Sequence, residues 1–473
     1  MSTKIDLLVI GAGPGGYPAA IRAAQLGKRV ILVEKGWIGG ECLNWGCIPS
    51  KALIHASSLY HEMLHGTEVM GISVKDVSVD MKKLQNWKQG VQDTLIGGIK
   101  TLLKSHKVRT IMGTAQFIGS KKVVIYGEDK AEEIIEAEKI IIATGSSFIS
   151  LPGFEIDEES ILSAKGLLSL QEIPKHLVCI GGGIIGLELG TVYAKLGAKV
   201  TVIELMKNLL PSVNPKLAAI VKKKLKKLGV DIYTSSKATS LTKGDRLTLE
   251  VETKKEKITI EADKILLSIG KRANTGALGL EKTGVAVDKR GFIIVDEQLK
   301  TNVDGIFAIG DCTGPPFLAH LATKQGIIAA EVACGKNSVA DFKSIPGAIF
   351  TDPEIATTGF SAAEAKEAGF EVQEARASFG ASGKALSMNQ SEGYVNLISD
   401  AKTGILLGAE VVGVHASDLI SEISLALELG ASTEDLGFTI HPHPTLPEMI
   451  MEAAESAMGS AIHVPNSKKP IKH

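Results

Sequence analysis

Cysteine is scarce in this chain, with five residues among 473, an odd number that makes no disulfide framework in a protein of this size. An excess of charge of one sign is missing too. Lysine plus arginine total 52 against 53 for aspartate plus glutamate, which gives no support to a nucleic-acid partner. No stretch approaches the ~18 consecutive apolar residues of a membrane span, so no membrane partner is expected. The opening "MSTKIDLLVI" has an apolar run too short for a signal peptide and none of the arginine-rich character of a transit peptide. These absences predict a cytoplasmic location. The length exceeds what one core can serve and predicts about three domains.

What is present is a repeat. "IDLLVI" (5–10) reads as a buried strand, followed by "GAGPGG", a helical "YPAAIRAAQLG" and a second strand, "RVILVE", ending in Glu34. "LVCI" (177–180) leads in the same way into "GGGIIG", "LELGTVYAKLG" and "KVTVIE", ending in Glu204. The acid follows the first glycine by 23 residues in both copies, Gly11 to Glu34 and Gly181 to Glu204. One G-x-G-x-x-G is weak evidence, but here each follows a strand, opens a helix and has its acid at the end of the next strand. A pyrophosphate requires that order: glycines admit the phosphates, the helix start supplies N–H groups, and the carboxylate takes ribose hydroxyls. Two dinucleotide sites are expected. Glu204 would repel a ribose 2′-phosphate and no arginine follows it, which favours NAD over NADP at the second site. The first site suits a flavin dinucleotide.

Beyond the first repeat come polar helical stretches and a β-rich part ending in "KIIIATGSS" (139–147). "LPGF" (151–154) marks a boundary, the second repeat closes near "KILLSIGKR" (264–272), and "TNVDGIFAIGDC" (301–312) reads as a buried strand ending in Asp311. From about Pro346, strands such as "GYVNLIS" and "LLGAEVVG" precede long helices at 417–430 and 447–459. The expected organisation is α/β: a flavin-binding domain over 1–150, an NAD-binding domain over 151–272, a central domain over 273–345 completing the flavin site, and an α+β interface domain over 346–473. The basic "VKKKLKKLG" (221–229) reads as a helix with Val221, Leu225 and Leu228 as its apolar stripe and the lysines in water. Asp129-Lys130-Ala131 imitates the tripeptide around a lipoylated lysine, but a plain turn lysine fits the space between its flanking strands.

Cys42 and Cys47, in "GGECLNWGCIPSK" (39–51), are separated by only four residues. In a regular helix such residues have Cα atoms ~8–9 Å apart, whereas a disulfide needs them within about 7 Å. A bridge therefore requires a distorted backbone, which Gly46 would ease, and Pro49 suits the first turn of a following helix. That helix start would favour a thiolate, whereas an unpaired Glu41 would oppose one. Spacing alone leaves both a redox disulfide and an accidental buried pair open. Cys179, Cys312 and Cys334 read as small buried residues. Near the other end, "HPHPTLPE" (441–448) offers an imidazole that could serve a thiol as base and a carboxylate that could orient it. Thr445-x-x-Glu448 with Pro447 is equally a helix capping box, and Glu448 could do both jobs.

With these pieces placed, the chain resembles the pyridine nucleotide–disulfide oxidoreductases from end to end, most closely the members that oxidise dihydrolipoamide. "GAGPGG", "GGECLNWGCIPSK", "ATGSS", "GGGIIGLELG", "TNVDGIFAIGD" and "HPHPTLPE" stand in the family's order and spacing. The resemblance implies two Rossmann-like domains, a C-terminal dimerisation domain, bound FAD, NAD as hydride acceptor and a redox-active Cys42–Cys47 disulfide. It implies that Cys42 forms a mixed disulfide with substrate, that Cys47 lies against the flavin, and that His443 paired with Glu448 moves protons. In this family that histidine comes from the other subunit, which implies a homodimer. The FAD site would comprise Gly11, Gly13, Gly16, Glu34, Ala115, Thr144, Gly145, Ser146 and Asp311. Lys51, Glu188, Phe317, Leu318, Ala319 and His320 would lie near its ring. Gly181, Gly183, Gly186, Glu204 and Gly270 would hold NAD. No metal is expected. The chain has no lipoyl domain, so lipoyl groups would come from proteins of 2-oxoacid dehydrogenase or glycine cleavage complexes, or as free lipoamide.

Glu41 stands where the family commonly has threonine, Trp45 where a smaller apolar residue is usual, and Pro447 where serine is common. Pro18 occupies a helix position usually free of proline. Members that reduce glutathione would prefer an arginine-bearing NADP site in place of Glu204. Those acting on mercuric ion, and the larger thioredoxin reductases, need a C-terminal redox centre, and "HVPNSKKPIKH" has no cysteine. Another small disulfide is the alternative substrate. A redox sensor of the same fold would bind both nucleotides and turn over no disulfide.

Overall fold

The computed structural model describes residues 2–127 and 132–467, so the Asp129-Lys130-Ala131 tripeptide lies outside the described residues. The chain divides into two compact units. The first comprises Met1–Ala56, Val79–Glu172 and Leu266–Asp341, and the second Ser57–Ser78, Ile173–Ile265 and Phe342–His473.

In the first unit the strand Thr3–Ile10 runs parallel between Val30–Glu34 and Glu132–Ile142, with Val9 opposite both Leu32 and Ile141. Ile306–Ala308 extends the sheet beyond Glu132–Ile142, again in parallel. Both faces of these strands are covered, which is why they read as continuous Val/Ile/Leu runs and not as alternation. Leu8, Ile31 and Ile140 enter one core with Phe117 and Ile125. Leu7, Leu32 and Ile141 enter another with Ala19, Ala20 and Ala23 of the helix Gly16–Gln25. A small residue lets the helix Ala319–Ala333 approach the start of that helix closely: a Cβ on Gly326 would lie 2.2 Å from the Gly15 carbonyl oxygen, and Thr323 donates to the Pro14 carbonyl at 2.9 Å. Pro18 falls in the first turn of Gly16–Gln25, where a backbone N–H has no helical acceptor to lose, so the helix tolerates it.

One strand is shorter than the sequence suggests. The run before Asp311 is a strand only over Ile306–Ala308, and Asp311 sits in the 3-10 turn Gly310–Thr313. Gly310 at φ +68° takes the chain out of the strand.

The second unit places Lys199–Glu204 in parallel between His176–Ile180 and Asp231–Thr234. The helix Ile184–Lys195 follows the second glycine turn. Three antiparallel strands over Lys237–Lys243, Leu247–Glu252 and Lys257–Ala262 form a separate sheet. A five-stranded antiparallel sheet over residues 347–413 packs its Val395, Leu397, Ala409 and Val411 against Ile420 and Ile423 of Ala416–Leu429 and Ile450 and Ala453 of Glu448–Met458. The lysine-rich segment is the helix Pro215–Lys227, burying Leu217, Ala218, Val221 and Leu225, with Leu228 half-buried at its end. Among the described residues no helix is long and apolar enough to cross a membrane.

Lys88, in the long helix Met81–Ser105, is 6% exposed and donates from Nζ to the Leu168 carbonyl at 2.6 Å. Burial pushes its ammonium down to about 8. The unfolded chain therefore binds the extra proton between that value and the ordinary lysine range, and stability rises with pH across this window. The expected result is that wild type gains on the order of 1 kcal/mol relative to Lys88→Met between about pH 8 and 10, after allowance for solvent screening. Paired urea melts across that range measure it.

Candidate active site

The cysteine segment begins against the first glycine turn. Gly39 and Gly40 have φ of +92° and +60°, and a Cβ on Gly40 would lie 2.6 Å from the Gly13 Cα. Only glycine fits that approach. The short helix Gly40–Trp45 follows, and Gln92 satisfies its last carbonyls, donating to Leu43 at 3.1 Å and Asn44 at 2.7 Å. At Gly46, φ −131° and ψ −113° break the helix, and a new one runs over Cys47–His65 with Pro49 and Lys51 near its start. This break brings the Cα atoms of Cys42 and Cys47 to 4.6 Å, and the sulfurs form a disulfide. Of the alternatives the spacing left open, the bridged pair is the one present.

The other cysteines remain thiols. Burial pushes Cys179 up to about 12 and Cys312 up to about 11, which makes both poor nucleophiles at neutral pH. Cys334 differs from expectation in being only half-buried.

Glu41 is not unpaired. Lys271 approaches its carboxylate at 2.5 Å and that of Asp311 at 3.4 Å, and Ser146 donates to Asp311 at 2.6 Å. Burial raises the Glu41 carboxyl, and the Lys271 ammonium works against that rise. Trp45 meets Trp37 edge-on with ring centroids 4.9 Å apart, and the Lys165 ammonium lies 5.0 and 5.4 Å from the two rings. Sequence reasoning missed Lys271, Gln92 and Lys165. For Lys271 the available signal was its position directly after Gly270.

The two glycine turns repeat one hydrogen-bond pattern. Glu34 accepts from the N–H groups of Ala12 at 2.7 Å and Gly36 at 2.9 Å, and Glu204 from those of Gly182 at 2.7 Å and Met206 at 2.6 Å. Each acid thus braces its own turn. Gly11 at φ +103° and Gly181 at +107° start the turns, and Gly16 packs on the Gly11 carbonyl where a side chain could not fit. Gly186 lies within the helix Ile184–Lys195, as does Glu188, which is 4% exposed and accepts from the Phe350 N–H at 2.8 Å.

Around Thr144, Gly145 and Ser146, Asn274 donates to the Thr144 carbonyl at 3.0 Å and accepts from the Ser147 hydroxyl at 2.5 Å. Gly270 (φ +135°) lies in the first unit, its carbonyl accepting from Ile149 at 3.2 Å. Phe317 and Leu318 immediately precede the helix that begins at Ala319 and His320. Ala115 is buried within the strand Arg109–Gly119.

In the second unit, His443 Nδ1 lies 2.8 Å from Glu448 Oε1. With Nδ1–H donating to the carboxylate, Nε2 is the basic nitrogen, and the ring is 79% exposed. Glu448 also accepts from the Thr445 N–H at 2.7 Å, but the Thr445 hydroxyl donates to Pro442 instead of closing the capping box. Burial acts to raise the Glu448 carboxyl, but the Thr445 N–H and the imidazole outweigh it and hold it below its ordinary value. His441 does a different job. Its side chain is 4% exposed and bridges Glu422 and the Thr439 carbonyl, both at 2.8 Å.

The first unit thus carries a disulfide at a glycine turn, and the second an oriented imidazole–carboxylate pair. Comparison with known proteins agrees. The family model for pyridine nucleotide-disulphide oxidoreductases matches residues 5–326, and the model for that family's dimerisation domain matches 345–454. The chain is 46% identical over 462 residues to a dihydrolipoyl dehydrogenase of Geobacillus stearothermophilus, covering 98% of each. It is 47% identical to one of Thermus scotoductus, covering 98% of this chain and 99% of that one. The crystal structure of LpdA from Mycobacterium tuberculosis superposes with a TM-score of 0.90 at 28% identity, over 96% of this chain and 100% of that one. The resemblance read from the motifs and the α/β class expected with it both hold, and the chain belongs to the pyridine nucleotide-disulphide oxidoreductase family.

Proposed function

We propose that this protein is an FAD-dependent enzyme that oxidises dihydrolipoamide, free or protein-borne, to lipoamide and reduces NAD⁺ to NADH. The observation that carries the reading is the Cys42–Cys47 disulfide on a segment in contact with the first glycine turn. The relatives' activity supplies the substrate.

The residues fit both nucleotides. A Cβ on Gly13 would meet nothing nearer than Gly40 Cα at 3.9 Å, and one on Gly183 nothing within 4 Å, so the middle glycine of each turn faces open space. Gly11, Gly13, Gly16, Glu34, Ala115, Thr144–Ser146 and Asp311 would hold FAD, with Lys51, Glu188 and Phe317–His320 near its ring. Gly181, Gly183, Gly186, Glu204 and Gly270 would hold NAD. Residues 1–150 and 273–345 thus serve the flavin, 151–272 the nicotinamide cofactor and 346–473 the dimer interface.

In the dithiol half-reaction one substrate sulfur attacks Cys42, the Cys42–Cys47 bond breaks, and Cys47 leaves as a thiolate. His443 of the partner subunit takes the substrate's thiol proton at Nε2 while the partner's Glu448 holds Nδ1–H. The second substrate sulfur then attacks the first, closing the lipoamide ring and releasing Cys42 as the second thiol of the reduced pair. FAD supplies the two-electron path from that dithiol to NAD⁺. The partner set is a second copy of the chain and lipoyl-bearing proteins of a 2-oxoacid dehydrogenase or glycine cleavage complex, in the cytoplasm.

The test is NADH formation from NAD⁺ and dihydrolipoamide, with NADP⁺ and glutathione as controls. Expected is turnover with NAD⁺ at least ~100-fold faster than with NADP⁺, the repulsion between Glu204 and a 2′-phosphate setting the difference. A flavin-containing protein without turnover would instead mean that Glu41 and Trp45 mark a different disulfide substrate, or that the protein is a redox sensor.

A further inference from the structure

Lys271 joins two acids that lie far apart in sequence. Its side chain is 13% exposed, and its ammonium sits 2.5 Å from Glu41 and 3.4 Å from Asp311. Glu41 belongs to the cysteine helix Gly40–Trp45, and Asp311 to the turn Gly310–Thr313. Lys271 itself opens the strand Lys271–Ala273, which pairs antiparallel with Ser146–Phe148. Ser146 donates to Asp311 at 2.6 Å, and the Phe148 ring lies 5.5 Å from the ammonium. One cation thus serves two partly buried carboxylates. Burial raises the Glu41 carboxyl, Lys271 opposes the rise and Asp311 adds to it.

We propose that Lys271 is a positioning residue of the flavin site, whose single ammonium is shared between Glu41 and Asp311, offsets their mutual repulsion and holds the cysteine helix to the turn carrying Asp311. The inference rests on the FAD reading above. A carboxylate at position 41 is what makes the cation necessary. Without it, two like charges face one another in a poorly solvated place, and the helix and the turn are driven apart or one acid takes up a proton. With a neutral side chain at 41, Asp311 keeps its Ser146 hydrogen bond and needs no second compensation.

The experiment measures FAD dissociation from purified holoenzyme, read by the fluorescence of released flavin, in wild type, Lys271→Met, Glu41→Gln and the double variant. Lys271→Met is expected to weaken FAD binding about tenfold or more, equivalent to about 1.4 kcal/mol. Glu41→Gln alone stays within about twofold of wild type, and the double variant returns to within about threefold, since it removes the uncompensated charge. Should Lys271→Met fail to fold, the double variant decides, because it is expected to fold and retain flavin. The inference is overturned if Lys271→Met holds FAD like wild type, or if the double variant is no better than the single. The latter pattern belongs to a lysine that acts by packing or by touching FAD directly. A wild-type protein that binds no FAD would overturn the functional reading together with this one, whereas flavin binding without the rescue sinks this inference alone.

Discussion

Serine at position 47 is expected to leave a folded, flavin-containing protein whose dihydrolipoamide-dependent NADH formation falls on the order of 10⁴-fold or more. Thiol–disulfide exchange needs an S–S bond to break, and the leaving sulfur is the store for one of the two electrons of each turnover. A serine oxygen can neither bridge to Cys42 nor leave as a stable thiolate. The fold is expected to survive because the Cys47–His65 helix begins from a turn that Gly46 and Gln92 shape independently of the sulfur. Steady-state absorbance of NADH, with flavin content measured on the same samples, gives the answer. A rate within tenfold of wild type would remove the disulfide from the reaction path.

Glutamine at position 443 is expected to slow turnover by ~10²–10⁴-fold, the usual worth of a positioned general base. Glu448→Gln should cost less, since its amide still accepts Nδ1–H but no longer balances the imidazolium. The sign of its pH dependence follows from the depressed Glu448 carboxyl. A carboxylate with a lowered value contributes above the ordinary range and loses its effect only as pH falls through the lowered one. The rate difference between wild type and Glu448→Gln should therefore persist through neutrality and close only below the ordinary carboxylate range. Profiles of kcat/KM against pH for the two proteins test this. A gap that closes near neutrality would contradict the assignment.

Much of the fold could be read from the sequence because its signals are local. The two strand–glycine–helix–strand–acid units appear as read, Thr3–Ile10 to Glu34 and His176–Ile180 to Glu204, because each motif is fixed within one supersecondary unit. The need for a broken backbone between Cys42 and Cys47 was likewise a matter of helix geometry, and Gly46 supplies the break. The contact of Glu448 with the Thr445 N–H followed from its spacing, although the Thr445 hydroxyl turned elsewhere, whereas its pairing with His443 was implied by the resemblance. The end of the strand before Asp311 was misjudged, since an apolar run carries no mark of where a glycine adopts positive φ. The Glu41–Lys271 pair joins positions 41 and 271, and no local pattern connects them. The partnership of Lys165 with Trp37 and Trp45 is tertiary for the same reason. Beyond the two glycine turns and their acids, which residues would serve which ligand came from resemblance, because a binding role leaves no periodicity in the chain.

The break at Gly46 also makes the disulfide electrically lopsided. Cys47 is the first residue of a 19-residue helix, at the end where unsatisfied N–H groups and the helix dipole concentrate positive potential. Cys42 sits in a helix of only six residues, whose dipole is smaller, beside Glu41, which Lys271 pairs. An electron pair released by cleavage is therefore better accommodated on Cys47 than on Cys42. The backbone would thus give the bond a polarity that suits the proposed roles, with Cys42 as the sulfur attacked and Cys47 as the one that carries the charge away.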